Sequence, residues 1–515
     1  METVAPRMSI LSENAARRRR LTTESAIKAF FGSNALVAIV VLALITLFLF
    51  REGFGFFGQN LANLRLYRRA GLEYVDVIRA QAQTHAALSR QLGDIRLQEA
   101  RMLPSSSSLE VFDQFAAAFS DSGEFLNALV SDANDQALAL REAFIATGAP
   151  SAVSSAEGES PAASATPGDP RVAMTALRSA DYKFPTIAMT MKAKIDNLLA
   201  TPPLLSMSRA QRSFESWKKR TRDYLAQFPV VSQRLREWNP DEPVPAYRAV
   251  TSFLFGTNWI TASFWQDWYG IIPLLVGSIM VAAVALMLAV PLGVCSAIYV
   301  SEVAARGEKS LIKPYIEFIS AIPSVVLGFF GIAVVGQAVR ALSQMPFMKW
   351  VPFFPISERL NVFTAGSLLA LMAVPTIFTL AEDALRNVPR GFKEASYALG
   401  ANRLQTIARV LVPASLSGII SAVLLGLGRV IGETMVVLLC AGNRIAIPDF
   451  TQGLGAFFQP VHTMTGIIAQ EMGEVVRGSI HYRALFMVGL VLFALTLGIN
   501  YLAQRLVARY RMSIG

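Results

Sequence analysis

Residues 382–443 read EDALRNVPRGFKEASYALGANRLQTIARVLVPASLSGIISAVLLGLGRVIGETMVVLLCAGN, and their reading decides the fold. A charged segment too polar to rest in lipid runs into a long apolar helix, which carries Arg429 and Glu433 in its middle. Polar chemistry beside a membrane, followed directly by charges inside it, is the arrangement expected of a machine that moves something across. Ionisable groups within a span are costly unless they face a partner or water.

Outward from this stretch, composition supports a membrane setting. The chain has 515 residues, 53% hydrophobic and 16% charged, with a mean hydropathy of +0.43. That is greasier and poorer in charge than an average soluble domain. The apolar residues cluster at 35–50, 271–300, 316–339, 362–380, 416–441 and 485–502, runs near the ~20 residues that a bilayer crossing needs. Six transmembrane helices in an all-α membrane protein are therefore expected.

The net charge of +10 argues for membrane orientation and against nucleic acid. Residues 51–269 hold roughly balanced basic and acidic groups, so the excess lies in the termini and the loops between spans. Arg17, Arg18, Arg19 and Arg20 precede the first span and place the N-terminus in the cytoplasm. Phe50-Arg51-Glu52-Gly53-Phe54 offers no small-residue cleavage site, which reads as an anchor and not a removed signal. Threading alternately puts 51–269, 341–360 and 444–483 outside, and 301–313, 382–413 and 503–515 inside. Arg505, Arg509 and Arg511 agree with a cytoplasmic C-terminus. Cys295 and Cys440 each sit in an apolar run, so no disulfide framework is available outside, and three scattered histidines provide no metal-ligand spacing.

Four domains follow: a basic N-terminus at 1–29, a first transmembrane helix at 30–50, an extracytoplasmic insertion at 51–269 and a transmembrane domain at 270–515. The insertion has helical patterning at 60–102, 109–145, 171–200 and 206–238. Trp217, Tyr224, Phe228 and Leu235 fall on one face. The stretch 148–169, GAPSAVSSAEGESPAASATPGD, has the composition of a flexible linker. Residues 253–268, with Trp259, Trp265 and Trp268, are expected to return to the membrane as an aromatic belt. No catalytic constellation is visible in the insertion, which reads as a packing or docking element.

In the second span Pro273 and Pro291 are tolerable if neighbours satisfy the released carbonyls. Gly277, Ser278, Ala282 and Ala285 would admit a close helix. Arg306, Lys309 and Lys313 mark a short inside loop, and Ser320, Pro323 and Ser324 a weak point opening the third span.

Glu394, Ala395, Ser396, Gly400 and Pro413 reproduce the spacing E-A-A-x3-G-x9-[IV]-x-L-P, with Val410 at the apolar position and Ser396 and Val412 as departures. Two short helices, 392–398 and 401–411, joined at Gly400, would make a compact body able to enter a cleft in a partner. The pattern resembles the cytoplasmic coupling loop, here 382–413, of ABC importer permeases. Three further segments, IPSVVLGFFGI at 322–332, AVPTIFTLAEDALRNVP at 373–389 and LGLGRVIGETMVVLLCAGN at 425–443, are similar to those of phosphate importer permeases of the PstC type. The sister permease usually departs where Met435, Val436 and Val437 stand here. The resemblance covers roughly 271 to the C-terminus and not the insertion.

It implies a type I ABC importer permease in the bacterial inner membrane. The partners implied are a second permease of the PstA type, a dimer of ATP-binding subunits, an extracytoplasmic phosphate-binding protein and the lipid. It further implies that Arg429 and Glu433 line the substrate pathway. The residues agree with that role: four apart on a helix they can reach each other, and a guanidinium matches an oxyanion edge. A salt bridge that only fixes packing is the structural alternative. Gly428 and Gly432 suggest a small-residue packing face. No G-x-x-x-x-G-K-[ST] segment occurs, so ATP hydrolysis is expected in a partner, with no catalytic residue, metal or cofactor on this chain. Two rivals remain: a permease for molybdate or sulfate, and a membrane-anchored sensor or scaffold working through its insertion.

Overall fold

Helix starts and stops in the computed structural model follow glycine, proline and capping side chains more closely than hydropathy. The structure describes residues 8–100, 107–146, 170–203, 205, 208–348, 350–351, 353–356 and 358–510. The expected linker at 148–169 lies outside them, as do the side chains of Arg17, Arg18, Arg19 and Arg20. The chain divides into two compact units, Met1–Phe56 with Pro273–Gly515, and Phe57–Ile272.

The first helix, α1 (Met8–Arg69), is continuous, so the expected boundary between an anchor at 30–50 and a helix from 60 does not exist. It ends at Gly71, whose φ of +73° sets the turn that an L side chain resists. The second unit then builds α2 (Leu72–Ala100), α3 (Ser107–Asp121), α4 (Glu124–Ala146), α5 (Pro170–Arg178), α6 (Ala180–Ala200), α7 (Ser208–Ala226), α8 (Phe228–Glu237) and α9 (Tyr247–Leu254). Three of the four expected helical stretches are each broken once, at Ser122-Gly123, Ser179 and Gln227, and 60–102 is broken at Ala70-Gly71. Trp217, Tyr224, Phe228 and Leu235 are all buried, as their shared face requires. Trp217 stacks with Phe214, meets Phe115 and Phe119 edge-on, and donates its indole N–H to the carbonyl of Leu88 at 3.0 Å.

The tryptophans at 259–268 pack inside this unit and do not form the expected lipid belt. β1 (Trp259–Ile260) pairs antiparallel with β2 (Trp268–Tyr269), Trp259 opposite Tyr269. Trp265 lies under the Arg79 guanidinium, 4.0 Å from the ring centre, and donates to Asp76 at 2.9 Å, while Trp268 meets Tyr67 edge-on.

The first unit resumes with α10 (Ile272–Ile298), which runs on through a π-turn at Tyr299–Val303. Arg306, Lys309 and Lys313 lie in α11 (Arg306–Ser320), not in a loop. The chain breaks at Ala321-Ile322-Pro323, then continues as α12 (Ser324–Phe330), a π-turn at Gly331–Val335 and α13 (Gly336–Ser343). The third span is therefore Ser324–Ser343, shifted from the expected 316–339, because the missing Pro323 N–H ends one helix and opens another. α14 (Val362–Arg386) is the most buried span. α15 (Arg390–Ala398), α16 (Arg403–Thr406), a π-turn at Ile407–Leu411 and α17 (Val412–Ile431) follow, then α18 (Met435–Cys440), α19 (Met464–Glu471) and α20 (Ile480–Tyr510).

Among the described residues, six helices are long and apolar enough to cross a membrane: Lys28–Arg69, Ile272–Val303, Ser324–Ser343, Val362–Arg386, Arg403–Ile431 and Ile480–Ala508. α14 and α17 touch through Gly418 and Gly426, where an added Cβ would stand 2.4 Å from Ala384 and 2.8 Å from Ile377. The expected packing pair is displaced: nothing lies within 4 Å of a Cβ at Gly428. Gly277 sits against the carbonyl of His462, and Ser278 accepts the amide of Met464 at 2.9 Å.

Candidate functional site

Two groups of residues, one at each end of α17, carry the polar chemistry of the first unit. At its N-terminal end the chain folds into a compact hand. α15 ends at Leu399, Gly400 turns with φ +82°, and Asn402 caps α16 by accepting the amide of Gln405 at 2.8 Å. Gln405 answers by accepting the amide of Asn402 at 2.9 Å, a reciprocal cap. Ser396 is buried and its hydroxyl lies 2.9 Å from that of Thr406, so the departure from Ala in the sequence pattern adds a bond between α15 and α16.

The second helix of the hand does not stop at 411 as expected. It continues without a break from Arg403 to Ile431, with the π-turn placed just before Pro413. Pro413 lacks an N–H and its ring crowds the carbonyl four residues back, and a widened turn absorbs both effects. Glu394 and Ala395 are exposed on α15, and a groove of ≈ 450 Å³ is lined by Phe392, Ala395, Leu399, Ala401, Arg409 and Val410 among others. Leu399 is 89% exposed and Leu404 73%, so this apolar rim lacks a cover among the described residues.

At the C-terminal end the structure separates the two residues that the sequence placed together. α17 ends at Ile431, with Gly432 as its cap, so Arg429 lies in the last turn and Glu433 beyond it. No ion pair joins them among the described residues. Arg429 is exposed and donates through Nη1 to the Thr376 hydroxyl on α14 at 3.3 Å. Glu433 folds its carboxylate onto the amide of Met435 at 3.1 Å, capping α18, and its carbonyl accepts the Thr465 hydroxyl at 2.9 Å. A guanidinium at a helix C-terminus and a carboxylate at a helix N-terminus each complement the local dipole, which replaces their mutual attraction.

Further partners emerge only in three dimensions. Glu302, in the π-turn after α10, accepts Lys393 of α15 at 2.7 Å and Ser301 at 3.0 Å. Its backbone carbonyl accepts the guanidinium of Arg403. Glu382 is fully buried at the end of α14; Lys313 of α11 donates to it at 3.0 Å, and Arg386 approaches Oε1 at 2.6 Å, out of line for a hydrogen bond. Lys393 and Glu302 are 91 residues apart, and Arg429 and Thr376 53, so no local pattern links them.

Residues 289–512 match the family described as the binding-protein-dependent transport system inner membrane component. The chain is 36% identical over 258 residues to the probable ABC transporter permease protein YqgH of Bacillus subtilis, covering 49% of this chain and 77% of that protein. The chain belongs to this family of ABC importer permeases. The permease is also 31% identical over 277 residues to the phosphate transport system permease protein PstC of Haemophilus influenzae, covering 51% of its own length and 84% of the relative's. An inward-facing structure of the MetNI methionine ABC transporter is similar at 19% identity with a TM-score of 0.34, covering 47% of the permease and 94% of that chain. The family match begins after the second unit, so the permease is an integral membrane protein with a large helical region outside its family segment.

Proposed function

We propose that the permease is one of two membrane subunits of an ATP-driven phosphate importer. The observation that carries this reading is Arg429: an exposed guanidinium at the end of α17, held by a hydroxyl and by no carboxylate within ion-pair distance among the described residues. Its remaining donors suit a tetrahedral oxyanion, and Thr376 orients the side chain. The naming of PstC relatives for phosphate supports the choice of anion. In this scheme Glu433 keeps α18 capped and places a negative charge near the path, which limits how tightly an anion is held.

The hand 390–411, with the motif residues Glu394, Ala395, Ser396, Gly400 and Pro413, docks its apolar rim on a separate ATPase dimer in the cytoplasm. Both termini then lie on that side. A PstA-type permease completes the open face around Arg429, and an extracytoplasmic binding protein delivers phosphate. Closure of the ATPase pair moves the hand, and α17 carries the movement to Arg429, switching access from one side to the other.

Uptake of labelled phosphate into vesicles holding the complete assembly tests this reading. ATP-dependent uptake that unlabelled phosphate suppresses, and that molybdate or sulfate leaves unchanged, is expected. ATP-dependent uptake of labelled molybdate or sulfate by the same vesicles, with no ATP-dependent uptake of labelled phosphate, would overturn the choice of anion.

A further inference from the structure

The hand is covalently continuous with α17, but its ionic contacts lead to a different span. Lys393 on α15 and Arg403 at the start of α16 both converge on Glu302, the one through the carboxylate at 2.7 Å and the other through the backbone carbonyl. Arg403 also reaches the carbonyl of Val303 at 3.4 Å. The side chain of Glu302 is 9% exposed and that of Lys393 31%, so the pair is shielded from water on the acid's side. Such a pair is costly to break because it leaves a buried charge unmatched.

The geometry makes the contact a joint and not a surface tether. Ser396 and Thr406 fasten α15 to α16, so Lys393 and Arg403 are two fixed points on one body. Two points gripping one turn resist rotation as well as separation. The gripped turn is the π-turn that terminates α10, and the loop beyond it is tied in as well: Lys309 donates to the carbonyl of Ser301 at 2.9 Å, and Glu308 accepts the amide of Ala305 at 2.9 Å. α15 has nine residues, too short to hold its own shape without such contacts.

We propose that Glu302 is a positioning residue that couples the hand to the second membrane span, so that one displacement drives α10 and α17 together. This rests on the reading of the hand as the ATPase docking element. Loss of the joint leaves docking and hydrolysis in place but lets the hand move without α10. Transport then falls while ATP is still consumed.

The test uses the complete assembly, with the binding protein and ATPase, in vesicles, and measures phosphate uptake and ATP hydrolysis on the same preparation. Lys393→Met and Glu302→Gln are each expected to lower uptake per ATP hydrolysed by about tenfold, and Lys393→Arg to keep the wild-type ratio. A purely structural role would lower both activities in parallel and leave the ratio unchanged, which overturns the proposal. Should Lys393→Met not accumulate because it strands the buried Glu302 carboxylate, Glu302→Gln decides alone, since the Lys393 ammonium it leaves behind is partly solvated. A wild-type assembly lacking ATP-dependent uptake would instead sink the reading of the permease itself, a result separate from unchanged ratios in a coupled assembly.

Discussion

Arg429 and Glu433, four residues apart, are held by different partners: Arg429 by Thr376 on α14 at 3.3 Å, and Glu433 by the amide of Met435 at 3.1 Å. The helix break at Gly432 turns an expected ion pair into two independent groups at facing helix ends.

The two substitutions should therefore differ. Arg429→Ala is expected to lower phosphate uptake by about tenfold to a hundredfold, the span of a charge-assisted hydrogen bond, with Arg429→Lys in between. Glu433→Gln keeps an acceptor for the Met435 amide and should cost less than Arg429→Ala. Equal losses at both positions in the uptake assay would instead point to a working pair.

Ser396 and Thr406 share one buried contact but have unequal alternatives, since Thr406 also donates to the carbonyl of Asn402 at 3.1 Å. Ser396→Ala leaves Thr406 satisfied and should cost about 1 kcal/mol or less, whereas Thr406→Val strands a buried hydroxyl and should cost about 1–3 kcal/mol. Thermal unfolding of the detergent-solubilised chain gives the order; a reversed order would contradict the geometry.

Gly400 has open space around it and a φ of +82°, so only backbone strain opposes a side chain there. Gly400→Ala should destabilise the hand by about 1–2 kcal/mol, and Gly400→Asn by less, because Asn tolerates the left-handed region. Hydrogen exchange of peptides covering 390–411 reports the local opening, and an unchanged rate for Gly400→Ala would refute the turn.

His85 lies in the core of the second unit, stacked on Phe119, with Nε2 3.1 Å from that residue's carbonyl oxygen. Burial holds its imidazole below the ordinary value of 6.5, although the backbone contacts oppose the shift. The unfolded chain therefore takes up the proton more readily. Stability is fully present above 6.5 and declines as pH falls through that value, until the folded-state value is passed. Exchange protection of the segment around Trp217 should weaken from pH 7 toward pH 5, and His85→Gln should flatten that slope.

The number of spans and the motif of the hand were legible because they depend on local runs: about 20 apolar residues suffice for a crossing, whatever lies around them. Glycine at 400 and proline at 413 likewise act through their own backbone. Helix ends inside apolar stretches were harder to place. Windows of hydropathy average over the three residues of Ala321-Ile322-Pro323 or Gly432-Glu433-Thr434, so 316–339 and 416–441 read as unbroken. The tryptophans at 259, 265 and 268 carried an ambiguous signal, because amphipathic rings suit both a lipid interface and a protein core.

Sequence by itself determined that this chain carries six runs long and apolar enough to cross a membrane and that it carries the permease motif. Tertiary structure alone decided who partners whom. Glu302 with Lys393, Thr376 with Arg429, and Glu382 with Lys313 each join residues more than 50 positions apart. Charged side chains take whichever polar or opposite group the packing brings within about 3 Å, and for Arg429 that choice is set by the crossing of α14 and α17 at Gly418 and Gly426, not by spacing along the chain.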